Sequence, residues 1–160
     1  MRSKNILIVG FVMMFALIAA NVAMAQTTET SNLVISATVS ASCRITSVTD
    51  INFGAYDPTD PTDLDGAGDI RFRCVKGTSY DTYITGTREM NSVTSGDNLA
   101  FELYSDSGRT TVFPSANPSN PDTSANNGVV TTDVYGRVTA LQDVGFGDDY
   151  TVTLTATIEY

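Results

Sequence analysis

The 160-residue sequence contains no histidine and no tryptophan. Without histidine, Ser-His-Asp triads and His-ligated zinc sites are excluded. Positive charge is also scarce, with 9 Lys and Arg against 18 Asp and Glu. Nucleic acid and anionic membrane surfaces reward Lys and Arg, so this balance argues against both as partners. Cysteine occurs twice, at Cys43 and Cys74, with no C-x-x-C spacing. Past residue 25 there is no long apolar run and no helical periodicity. No membrane insertion is therefore expected beyond that point.

The exception lies at the start. Arg2 and Lys4 form a positive lead, Ile6 to Ala20 is an apolar run, and Ala23-Met24-Ala25 fits small-x-small cleavage. Residues 1–25 are expected to be a signal peptide, with the mature chain starting at Gln26. That leaves 160 − 25 = 135 residues, enough for one domain. Arg2 and Lys4 leave with the signal, so the mature charge is 7 − 18 = −11. In an exported chain, two cysteines on inward strand faces read as one disulfide, Cys43–Cys74.

What the chain does have is alternation. Leu33, Ile35, Ala37, Val39, Ala41 and Cys43 are apolar, and the intervening residues are polar except Val34. Successive strand residues point to opposite faces, so 32–43 predicts a long strand with one apolar face. Further strands are predicted at 51–56, 70–75, 80–84, 99–104, 110–113 and 129–139. The last, 150–160, sets Tyr150, Val152, Leu154, Ala156, Ile158 and Tyr160 against four threonines and Glu159. Asp57 to Asp69 and Pro114 to Gly128 read as loops from their prolines, glycines and turn-forming polar residues. Many short strands with regular turn signals predict an all-β, immunoglobulin-like antiparallel sandwich.

Catalytic and metal sets do not emerge. Placing Gly66 at the invariant glycine of a calcium loop puts Pro61 first and Phe72 twelfth, and neither supplies the required ligand. Asp148-Asp149 are adjacent at a strand end, which points them apart rather than across a cleft. Tyr83, Tyr104 and Tyr135 read as half-buried strand tyrosines, with sugar stacking the alternative. No enzyme activity, metal or cofactor is expected.

The motifs Ser36-Ala37-Thr38-Val39-Ser40-Ala41-Ser42-Cys43, Ile51-Asn52-Phe53-Gly54-Ala55-Tyr56-Asp57, Arg73-Cys74, Leu103-Tyr104-Ser105-Asp106, Arg109-Thr110-Thr111-Val112-Phe113, Val134-Tyr135-Gly136-Arg137-Val138 and the 150–160 tail occur in this order. Together they resemble the spore coat protein U domain family, the secreted pilin-like subunits of archaic chaperone–usher pili. The resemblance implies a sandwich lacking one strand, which a donated strand completes. It divides the chain into a signal peptide (1–25), a donor segment (26–41, its end left open) and a pilin-like domain (42–160). Leu33, Ile35, Ala37 and Val39 are then the donor residues. Val152, Leu154, Ala156, Ile158 and Tyr160 line the strand that borders the groove and docks the chaperone. The implied partners are neighbouring subunits, a periplasmic chaperone and an outer-membrane usher. The implied location is the periplasm in transit, then a surface fibre or coat serving adhesion or biofilm formation. A single-domain adhesin or carbohydrate-binding module of the same fold is the alternative.

Overall fold

The computed structural model describes residues 26–160, and the expected signal peptide lies outside them. Thr38–Tyr160 forms one compact unit. Residues 26–37 belong to a separate unit, carry no helix or strand and are exposed throughout. Of the strand predicted over 32–43, only Cys43 is in a strand, where β1 begins; residues 32–42 form none. Strands need backbone partners, and alternation without a partner does not make one.

The compact unit contains nine strands and, among the described residues, no helix. They are β1 (Cys43–Thr49), β2 (Leu64–Cys74), β3 (Ser79–Thr85), β4 (Glu89–Asn91), β5 (Asn98–Ala100), β6 (Glu102–Tyr104), β7 (Asp122–Thr123), β8 (Val129–Val138) and β9 (Thr155–Glu159). One sheet has the order β1-β2-β8-β6, a second β7-β3-β9, and β4-β5 is a separate ribbon. All pairings are antiparallel.

Alternation on β2 shows why the first sheet packs. Ile70, Phe72 and Cys74 are buried while Arg71 and Arg73 are exposed. Val134 and Val138 on β8 join them, and Tyr80 and Ile84 on β3 complete the core from the other sheet. The Phe72 and Tyr80 rings meet edge-on at 5.0 Å across the sheets, a favoured aromatic geometry. Cys43 and Cys74 sit opposite each other in the β1–β2 register and form the expected disulfide.

Several expected boundaries are corrected. The loop expected over 57–69 is strand from Leu64 onward, because β8 offers a ladder partner to every residue from Leu64 to Arg73. The segment 51–56 is not a strand but a strap whose Ile51, Phe53 and Tyr56 pack on the core. The strand expected at 99–104 is divided between two partners: Asn98–Ala100 pairs with β4, a register that the Phe101 N–H bond to the Arg88 carbonyl continues, and Glu102–Tyr104 pairs with β8. Of 110–113, only Val112 makes a bridge, to Tyr104. The final strand is 155–159 rather than 150–160. Thr151 instead bridges Asn91, which draws the preceding residues toward β4.

The 114–128 loop gains a role. Pro114 accepts from Ile84 N–H, and Asp122 and Thr123 pair with Tyr80 and Ser79. Both ends of the loop thus cover the edge of β3 opposite β9, which protects that edge from strays.

Candidate functional site

β1 and β9 are edge strands of opposite sheets. Among the described residues β1 pairs with β2 alone and β9 with β3 alone. Each therefore keeps one row of free backbone N–H and C=O groups. Between them opens a groove of about 1090 Å³. Val48 and Thr49 line it on the β1 side, and Val152, Leu154 and Ala156 on the β9 side. Its floor is core: Ile70, Ile84, Leu103, Val134 and Val138. A groove of that kind, apolar and flanked by two free strand edges, suits an extended polypeptide better than a compact polar ligand.

The strap 50–56 shapes one end of the groove. Its residues come close because the sheet beneath them carries glycine. A Cβ on Gly136 would lie 2.6 Å from Phe53 Cζ, and one on Gly66 2.7 Å from Ile51 Cγ2. Phe53 also stacks at 6.0 Å on Phe101. Tyr56 Oη donates to the Thr139 carbonyl and accepts from Gln142 N–H, which ties the strap to the 139–142 loop. Gly54, at φ +77°, makes the turn inside the strap.

Charged groups outside the groove lining act as structural fasteners. Asp149 accepts from Ser92 Oγ and from Val93 and Thr94 N–H. The Ser92 bond, with those backbone bonds behind it, holds the Asp149 carboxyl below the usual range. Asp106 accepts from Thr111 and Thr110 N–H, which lowers its carboxyl likewise. Arg137 grips Asp65 through two nitrogens at 2.8 and 3.1 Å and pushes that carboxyl down too. Arg109 lies against Asp65 at 3.1 Å, donates to the Gly136 and Gly66 carbonyls, and stands 5.8 Å from the Tyr135 ring. Each of these groups closes a loop or staples two strands.

The residues singled out from sequence fall as follows. Val152, Leu154 and Ala156 line the groove. Ile158 packs against the core beyond it. Tyr160 is 61% exposed, so the expected apolar face of 150–160 stops before the last ring. Leu33, Ile35 and Val39 are 83%, 86% and 78% exposed, and Ala37 is exposed as well. Tyr83, Tyr104 and Tyr135 are half-buried, and Tyr83 Oη donates to Glu159. Sequence reasoning missed Val48 and the inward role of the strap. The available signal was glycine inside strands, at Gly66, Gly68 and Gly136, which marks a close backbone approach.

An all-β, antiparallel domain with an open apolar groove is thus the class of protein present. Its sequence matches the Spore Coat Protein U domain over residues 29–157, and the chain belongs to that family. No curated protein matches. Among solved structures, it is similar to the complex of a chaperone and a tip adhesion subunit, CsuC–CsuE, from archaic chaperone–usher Csu pili of Acinetobacter baumannii. The match has 20% identity and a TM-score of 0.49, over 77% of this chain and 41% of that one. The chain therefore spans less than half the length of that neighbour.

Proposed function

We propose that this chain is a structural subunit of a surface pilus or coat, assembled by donated-strand pairing through a chaperone–usher pathway. The observation that carries the reading is the apolar groove between two strands that each keep a free edge. Left open, such a groove exposes apolar side chains and unpaired backbone, an aggregation hazard. A donated strand supplies hydrogen bonds to both edges and side chains to the groove.

The donor is the N-terminal segment of a neighbouring copy or related subunit. Its alternating Leu33, Ile35, Ala37 and Val39 are exposed, as a segment without its partner would be. At about 1.5–3 kcal/mol for each fully buried large aliphatic, the three large ones contribute roughly 4–9 kcal/mol. Ordering costs are subtracted from that figure. In the periplasm a chaperone occupies the groove, and an usher exchanges it for the next donor. The fibre or coat then serves adhesion or biofilm formation.

The test is deletion of residues 26–37. The truncated chain is expected to bind its chaperone, because its own groove is intact, but not to polymerise. Fibre yield equal to that of the full chain would overturn the reading.

A further inference from the structure

Of the seven basic residues after residue 25, four stand together. Arg44 and Arg73 are directly opposite each other in the β1–β2 register. Arg71 is two residues before Arg73 on the same outward face, and Lys76 follows the strand. All four are exposed. Arg71 pairs with Asp69, whereas neither Arg44 nor Arg73 has an acidic partner among the described residues. Like charges directly opposite across a ladder are unfavourable. The remaining basic residues, Arg88, Arg109 and Arg137, are all held in ion pairs. In a chain with twice as many acids as bases, the four-residue cluster is an isolated cationic patch.

Its place in the fold gives it a partner. β2 runs from Leu64 to Cys74, a length of roughly 36 Å at about 3.3 Å per residue. The patch sits at the Cys74 end, next to Ser42, where the N-terminal segment leaves the domain. The opposite end carries the 57–63 and 139–149 loops, joined by a bond from Ala140 N–H to Asp63. Exposed Asp60, Asp143 and Asp148 lie there, none in an ion pair among the described residues. The β1–β2 face is therefore electrically polar along its strands, although Asp81, Asp122 and Glu159 of the second sheet lie at the patch's end.

We infer that the Arg44–Arg73–Lys76 patch docks on the acidic far end of a second copy and thereby sets the direction in which a strand is donated. The inference rests on the donated-strand reading above. Thr155 of β9 pairs with Thr85 at the acidic end of β3, and Glu159 pairs with Asp81 toward the cationic end. A segment inserted antiparallel to β9 finishes at the Thr155 end. It brings its own Arg44 and Arg73 beside the acceptor's Asp143 and Asp148. Parallel insertion would finish at the Glu159 end and set one cationic patch against another. Charge thus favours antiparallel insertion and head-to-tail growth.

The test follows growth of fibres from labelled full chains at low salt and at about 1 M salt, where screening reduces the reach of charge to roughly 3 Å. Paired reversal, Arg44→Glu with Arg73→Glu, is expected to slow low-salt growth about tenfold, the lower end of electrostatic steering. It should leave growth at high salt unchanged. The neutral pair, Arg44→Gln with Arg73→Gln, should fall between. Adding Asp143→Lys and Asp148→Lys to the reversed chain should restore growth. Low-salt growth of the reversed chain at the wild-type rate, or no recovery in the quadruple variant, would overturn the docking. A synthetic peptide of residues 26–42 carries neither arginine, so the two paired Arg44 and Arg73 variants should take it up at the wild-type rate. Refusal of the peptide by the wild-type chain would strike the donated-strand reading, and this inference with it. Peptide uptake with growth blind to charge reversal would strike the docking alone.

Discussion

Gly68 shows how one missing side chain positions the site. A Cβ there would lie 2.3 Å from the Thr49 carbonyl oxygen, a backbone atom that cannot rotate away. Gly68→Ala is expected to destabilise the domain by about 1–3 kcal/mol, the usual cost of overpacking. Urea unfolding measures it, and a midpoint equal to the parent's would show that the end of β1 yields freely. The carboxylates make a second prediction. Asp149, Asp106 and Asp65 all have folded pKa values below the ordinary 3.8, through bonds from Ser92, Thr111 and Arg137 respectively. A depressed carboxyl contributes its full stability above the unfolded value and loses it as pH falls through the folded value. Thermal stability should therefore hold from neutral pH to about 5 and decline below about 4. Asp149→Asn should flatten part of that acid limb. A melting temperature that rises on acidification from pH 5 to 3 would contradict the assignment.

Strands carry the next set of consequences. Cys43 begins β1, and its bond to Cys74 fixes the strand that borders the groove at the point where the N-terminal segment departs. The cysteines are 31 residues apart, for which the chain-entropy model gives about 3.7 kcal/mol. Replacing both by serine should lower unfolding stability by an amount of that order. Alkylation without reductant, read by mass spectrometry, should leave both native cysteines unmodified. On β9, Ile158 packs against the core just past the groove-lining residues. Ile158→Asp places a charge there and, on the chaperone–usher reading proposed above, is expected to abolish chaperone capture while Glu159→Gln leaves it intact. Normal co-purification of the Ile158 variant would remove β9 from the docking surface.

The domain taken together separates two kinds of information. Alternation at 70–75, 80–84 and 129–139, the paired cysteines and the lack of helical periodicity follow from local stereochemistry. A strand's faces are written residue by residue, so an all-β antiparallel fold and the inward set Ile70, Phe72 and Cys74 are legible without coordinates. Alternation does not report whether a backbone partner exists. The same pattern therefore reads as strand over 32–43, where no ladder forms before Cys43, and at 51–56, where the apolar residues belong to a strap. Asp57 to Asp69 failed in the opposite direction, because its turn-forming composition concealed a ladder that β8 imposes from Leu64 onward. The groove itself depends on which edges remain unpaired and on how far apart β1 and β9 stand. So does the meeting of Arg44 with Arg73, since pairing joins positions 29 residues apart in sequence. Sequence alone settled the class of fold, the disulfide and the inward faces, because these are properties of short segments. Only the tertiary structure decided where the sandwich stays open and how its charge divides between its ends, because both arise from contacts between distant segments.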